Sequence, residues 1–388
     1  MDIKAMLERE PFYKILIMSI ETYYKVVEGK IVNISSKKNK NAKLLFLYYK
    51  PSFLSERFIT KDMRNFLYSE YNIRGALPKF LIGKFGVFII THSYGLFAKE
   101  KFYLCCSEGL LNERIFISPC NRSIRFYNFS RGYVDCIVKE GYSDKYMLNQ
   151  LQFRLNYNHF CIPKILASGE RWYREKIMYG NPLIRVRKQD AFLKGQDQAL
   201  ANLKELVNET LEYIDIDFYV KTLREELFIL LATLSADLDD SDMVVFHRLS
   251  ELTEIKIKDC RFTVPTAVTH GDFQGGNIWL TKQNEIIIYD WETNKRRSVW
   301  FDPATYYWKL HSDPSKINIE QYVLRDNRFL INDNYKNYTR DERVAIAIIL
   351  FLENTIFYLE DIAQIPKKNL RCNLLKFVVD LKKMVFKG

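Results

Sequence analysis

The stretch His270-Gly271-Asp272-Phe273-Gln274-Gly275-Gly276-Asn277 constrains this chain more than any other. A carboxylate and a carboxamide stand at the two ends of a tight loop. Apolar runs on either side of the loop read as strands. The second of them, Ile286-Ile287-Ile288-Tyr289, leads into Asp290-Trp291-Glu292, and Asp290 lies thirteen residues beyond Asn277. A strand can therefore carry a second carboxylate back beside the loop, so that three oxygen-bearing side chains converge.

That donor set matches what phosphoryl transfer asks of a protein. The reaction needs a carboxylate to orient an attacking hydroxyl, oxygen ligands for Mg ions, and a cation on the phosphates. The pattern resembles the catalytic loop and metal-binding aspartate of the protein-kinase-like fold. It is most similar to the aminoglycoside phosphotransferase and choline kinase branch, where the loop reads His-Gly-Asp-x-x-x-x-Asn rather than His-Arg-Asp. The pair Gly276-Asn277 fits that branch, and Asp290-Trp291-Glu292 stands where protein kinases carry Asp-Phe-Gly. The resemblance implies an α+β, bilobal architecture with a β-rich small lobe and a mostly helical large lobe. It implies ATP and Mg, with Asp272 as catalytic base and Asn277 and Asp290 holding the metal. His270 then orients the loop rather than transferring a proton. Asp302, in Val299-Trp300-Phe301-Asp302-Pro303, implies a brace behind the loop through backbone hydrogen bonds.

Three blocks follow along the chain. Residues 1–110 lie outside the resemblance and read as an extra α+β segment. It opens with a helix that puts Ile17, Ile20, Tyr24 and Val27 on one face, followed by strand-like runs at residues 44–49 and 87–90. The segment is either an accessory domain or an extension of the small lobe. Residues 111–180 read as the small lobe: a hairpin of strands at 114–118 and 124–129, a third strand at 133–139, a helix at 144–157, and further strands near 162–166 and 172–180. By resemblance, Lys139 at the end of the third strand grips the phosphates, and Asn121 and Ser123 in the hairpin turn contact them. Backbone groups at Glu175 and Ile177 then meet the adenine. The helix offers Gln150 and Gln152 but no acid to orient the lysine, a departure from the family pattern. Residues 181–388 read as the large lobe, with helical spacing at 199–207, 227–234, 344–363 and 377–384. The acidic run 237–242 reads as a solvated loop or, alternatively, as a place that receives a cationic substrate.

Composition narrows the function classes. Hydrophobic residues make up 48% of the 388 residues and charged residues 27%, which suits a globular protein with substantial cores. Seven cysteines are scattered without CxxC spacing, which points to a reducing compartment and no structural zinc. Glu8 and Glu10 interrupt the first apolar stretch, so no secretory signal is read, and the longest apolar run, at 344–352, is too short to span a bilayer. The expected location is cytoplasmic. A net charge of +11 suits an anionic partner. No RNA- or DNA-binding motif accompanies it, and positive potential also serves ATP.

The expected function is therefore a Mg-ATP-dependent phosphotransferase acting on the hydroxyl of a small molecule: a sugar, a glycan end, an aminoglycoside or an amino alcohol. The chain is basic, and the acids of residues 184–262 are interleaved with Lys and Arg, which favours a neutral or anionic sugar-type acceptor. Two alternatives stand beside it. One is a kinase-like nucleotide-binding scaffold with little or no activity, suggested by the missing helix acid. The other is an atypical protein kinase, which Gly271 in place of arginine disfavours.

Overall fold

The computed structural model describes residues 3–37, 42–49, 52–70, 77–106, 114–157, 159, 161–310, 319–330 and 338–363, with positions 374, 378 and 379. The chain is mixed α+β and forms two compact units, residues 1–196 with 278–289, and residues 197–277 with 290–388. The helical pattern at 377–384 and the block boundary near 110 fall largely outside the described residues.

The first unit is built on a nine-stranded sheet ordered β1-β4-β2-β3-β5-β6-β7-β9-β8. In chain order its elements are α1 (Ile3–Arg9), α2 (Phe12–Val26), β1 (Val32–Ser35), β2 (Lys43–Tyr48), β3 (Phe53–Ser55), α3 (Lys61–Glu70), α4 (Leu77–His92) and β4 (Glu100–Cys106). They continue with β5 (Phe116–Pro119), β6 (Ser123–Asn128), β7 (Tyr133–Val138), α5 (Lys145–Asn156), β8 (Ile165–Gly169) and β9 (Trp172–Lys176). The sheet runs without a break from β1–β4 into β5–β9, since Leu54 and Ser55 of β3 pair with Ile117 and Phe116 of β5. The first hundred residues thus extend the sheet itself.

Side-chain alternation decides what covers each face. Leu45, Leu47, Ile117, Ile124, Phe126 and Ile137 face α1 and α2, where Phe12, Leu16, Ile20 and Tyr23 are buried. On the opposite face, Phe46, Tyr48 and Phe116 pack with Met63, Leu67 and Val87 from α3 and α4. Farther along that face Cys136, Val138 and Tyr173 pack with Met147 and Leu151 of α5. Every residue of β7 is buried, as expected of a strand covered on both sides.

One strand reading is corrected here. Residues 87–90 lie inside α4, not in a strand. A short apolar run carries no periodicity to separate the two states, and Pro78 in the first turn suits a helix start.

A small sheet closes this unit: β10 (Gly180–Pro182) pairs with β13 (Ile278–Thr281), which pairs with β14 (Ile286–Ile288). Gly180 is required at this pairing, because a Cβ there would stand 2.4 Å from the Leu280 carbonyl oxygen.

The second unit is mostly helical. It continues α6 (Gln189–Thr210), then β11 (Glu212–Asp215), α7 (Ile216–Leu234), α8 (Asp240–Ile257), β12 (Thr263–Thr269), β15 (Lys295–Ser298), α9 (Phe301–Trp308), α10 (Ile319–Arg325) and α11 (Arg340–Ala363). The strands form a sheet ordered β11-β12-β15. The core joins Leu227 and Leu231 of α7, Val245 and Phe246 of α8, Trp300 and Phe301, and Ile346, Ile349, Leu350 and Leu352 of α11. Burying each such aliphatic side chain contributes about 1.5–3 kcal/mol.

The acidic run 237–242 is also corrected: it starts α8 instead of forming a solvated loop. Asp239 accepts from the Asp242 N–H at 2.9 Å in a capping box, so the acids serve backbone donors that would otherwise lack partners.

Candidate active site

The loop His270–Asn277 leaves the end of β12 and is fixed from behind. The buried carboxylate of Asp302, in the first turn of α9, accepts from the backbone N–H groups of His270 at 2.6 Å and Gly271 at 2.9 Å. This is the bracing that the resemblance implies for Asp302. Gly271 has φ +87°, and a Cβ on it would meet the Thr293 carbonyl oxygen at 2.5 Å. Glycine is demanded here by both backbone angle and space. His270 is wholly buried; its ring lies 4.6 Å from Trp291, and Nδ1 stands 3.2 Å from the Asp272 N–H, which assigns Nδ1 the acceptor role. It is placed to shape the loop.

Asp272 is held as an acceptor. Gln274 Nε2 donates to both of its carboxylate oxygens at 2.9 Å, and Asn277 Nδ2 donates to its Oδ2 and its carbonyl oxygen, each at 2.9 Å. Both Nδ2 partners are acceptors, so the amide orientation is settled by its network. Asn277 Oδ1 is thereby turned away from them and left as an oxygen donor.

The β13–β14 hairpin returns the chain to the same end, because Ile278 pairs with Ile288. Asp290 follows in the left-handed region (φ 68°, ψ 50°) and opens a single 3-10 turn, Trp291–Thr293. Non-glycine residues rarely sit there, and such local strain concentrates at functional positions. Its carboxylate makes no hydrogen bond or ion pair among the described residues.

The turn after Asp290 is fastened to the loop. Thr293 Oγ1 donates to the His270 carbonyl at 3.1 Å, and the buried Arg297 guanidinium donates to Thr269 Oγ1 and to the Thr293 carbonyl. The second unit therefore gathers Asp272, Asn277 and Asp290 on two segments that are bonded to each other.

Among the described residues, no group of three or more His, Cys, Asp or Glu side chains forms a metal cluster. The oxygen donors of Asn277 and Asp290 suit Mg²⁺, which takes one or two carboxylates from a protein and completes its shell with phosphate oxygens and water. The residues present fit that ion.

Burial pushes the Asp302 carboxyl above its ordinary range, against the opposing effects of His270, its two N–H donors and Arg297.

The residues expected in the first unit are arranged differently. Lys139 follows β7 beside the hairpin turn, where its N–H donates to the Arg122 carbonyl at 2.9 Å. Its amine is buried on the α1–α2 side, 2.6 Å from Glu10 Oε1 and 3.1 Å from the Asn121 carbonyl. Odd-numbered residues of β7 face α2, and Lys139 continues that alternation, which directs it away from α5. The acid that partners this lysine is Glu10, further fixed by the Tyr142 hydroxyl. Neither Gln150 nor Gln152 plays that part; Gln150 donates to the Tyr173 hydroxyl. No local pattern reveals Glu10, since it lies 129 residues away in sequence.

Asn121 and Ser123 do sit in the hairpin turn, where Cys120 N–H donates to the Ser123 carbonyl. Ser123 is half-buried beside Cys136 and Asn121 is exposed. Glu175 is paired on both sides by β7 and β8, its side chain is bound to Arg154 at 2.6 Å, and the Ile177 N–H donates to the Gly132 carbonyl.

No protein-family model and no curated protein matches this chain. Among solved structures it is similar to Plasmodium vivax ethanolamine kinase, at 14% identity and TM-score 0.46, over 84% of this chain and 96% of that one. It is similar to the choline kinase of Cryptosporidium parvum, at 15% identity and TM-score 0.40, over 72% and 88%. It is also similar to the aminoglycoside phosphotransferase APH(3'')-Id of Streptomyces rimosus, at 13% identity and TM-score 0.38, over 61% and 92%.

Proposed function

We propose that this chain is a Mg-ATP-dependent phosphotransferase that phosphorylates a hydroxyl of a small molecule such as a sugar, a glycan end, an aminoglycoside or an amino alcohol. One observation carries the reading: a loop carboxylate held by two amide donors is bonded, through Thr293 and Arg297, to a turn that presents a second, unengaged carboxylate.

In this reading Asp272 accepts a hydrogen bond from the acceptor hydroxyl and aligns it. The hydroxyl oxygen bonds to the terminal phosphorus, the bond from that phosphorus to the bridging oxygen breaks, ADP leaves, and the hydroxyl proton passes to Asp272. Gln274 and Asn277 fix the orientation of the carboxylate through neutral amide donors. Asn277 Oδ1 and the Asp290 carboxylate are the residues that would hold Mg²⁺, which supplies positive charge to the phosphate oxygens when bound. Residues 1–196 with 278–289 are read as the nucleotide-side unit, with residues 1–110 as its extension.

A second reading, a nucleotide-binding scaffold of little activity, draws on the commitment of Lys139 to Glu10. ADP release measured across a panel of hydroxylated acceptors, with and without Mg²⁺, separates the two. Acceptor-stimulated, Mg-dependent ADP release supports the phosphotransferase. Nucleotide binding with no turnover on any acceptor supports the scaffold.

A further inference from the structure

Among the described residues of the first unit, the guanidinium of Arg125 has no carboxylate beside it, and its Nε is buried without a partner. Lys139, Arg154 and Arg174 each lie 2.6 Å from a carboxylate, of Glu10, Glu175 and Asp135 respectively. Arg125, in the middle of β6, has no such partner. It makes no ion pair and no side-chain hydrogen bond among the described residues, and its Nε is buried with nothing to donate to.

Its surroundings do not compensate. The groups that influence it most are Cys120, Tyr127, Tyr173 and Cys136. Burial pushes the Cys136 thiol up to about 11 and raises the Tyr173 phenol well above its usual value. With their values raised, Cys136 and Tyr173 offer Arg125 no negative charge near pH 7. A guanidinium that has lost part of its hydration without gaining a counter-charge is unfavourable unless an anion completes it.

The position is specific. Arg125 pairs across the sheet with Cys136, so its side chain shares the face that α5 covers. It stands between the aromatic cluster under α3 and α4, which includes Tyr127, and the cluster under α5, which includes Tyr173. Ser123 of the hairpin turn is two residues before it.

We propose that Arg125 binds the phosphate chain of a nucleoside di- or triphosphate, taking the part that the sequence had suggested for Lys139. The inference rests on the phosphotransferase reading for the identity of the anion. The planar guanidinium can offer two parallel N–H donors to a phosphate, which a lysine cannot.

The test is ADP binding by calorimetry, paired with melting curves of ligand-free protein, for wild type, Arg125→Met and Arg125→Lys. Arg125→Met should lose at least about tenfold in ADP affinity and melt no lower than wild type, because it removes an uncompensated charge. Arg125→Lys should fall between the two in affinity. Inorganic tripolyphosphate should compete with ADP on the wild type and not on Arg125→Met. Unchanged ADP affinity in Arg125→Met overturns the proposal while leaving the phosphotransferase reading intact. A lower melting temperature for that ligand-free variant assigns Arg125 a structural role and overturns it too. A wild type that binds no ADP overturns both.

Discussion

In the proposed reaction Asp272 is the residue on which the chemistry turns, and its surroundings suit a carboxylate that accepts a proton. Gln274 and Asn277 present only donors to it. Asp272→Asn keeps the size but loses proton acceptance, so steady-state turnover should fall by about 10²-fold or more with Mg-ADP affinity retained. Turnover like wild type would exclude the assigned role. A different residue, Glu353, contributes to pH behaviour. Burial pushes the Glu353 carboxyl up, although Tyr219, Ser298 and Arg297 oppose the shift. A carboxyl held above its unfolded value contributes stability fully at pH below that value, and the contribution is lost as pH rises through the folded one. Glu353→Gln keeps acceptors for the Tyr219 hydroxyl and Ser298 N–H. Its melting temperature should gain on wild type as pH rises above the ordinary glutamate value of about 4.3. A constant difference across that rise would contradict the assignment. At this scale the loop was legible, because Asp272, Asn277 and Asp290 lie close in sequence and their types declare their chemistry. Glu10 and Arg125 were not, because what distinguishes them is a partner gained, or lacking, across the sheet.

Between elements, the buried pair of Lys139 and Glu10 ties the end of β7 to the α1–α2 connection. Removing one partner strands a charge, so Glu10→Ala should cost about 3–5 kcal/mol in urea unfolding. The double variant Glu10→Met, Lys139→Met should recover most of that loss, because apolar groups of similar size replace the whole pair. A double variant as unstable as Glu10→Ala would show that the pair does more than cancel its own burial. Elements with a clear period or a clear cap were readable from sequence: the β5–β6 hairpin, α5, and α11. The α4 run 87–90 was not, since an uninterrupted apolar stretch suits a strand or a helix equally. The start of α8 was read as a loop because an acidic run looks solvated until its oxygens are matched to the N–H groups they cap.

For the whole molecule, the α+β division was visible in the change from strand-like to helical spacing. The assignment of segments to units was not. Residues 278–289 belong with the first unit because β13 pairs with β10, about a hundred residues earlier, and no local signal marks such a pairing. Among the described residues no helix is long and apolar enough to cross a membrane. The central claim is that Asn277 and Asp290 form a magnesium site that serves a nucleotide. Calorimetric titration of ADP with and without Mg²⁺, into wild type and Asp290→Asn, tests it most directly. The account predicts that Mg²⁺ strengthens ADP binding to wild type at least about tenfold, roughly the 1.4 kcal/mol that one oxygen-ligated ion should supply, and that Asp290→Asn loses this gain while keeping its Mg-free affinity. Full Mg²⁺ dependence in Asp290→Asn would contradict it.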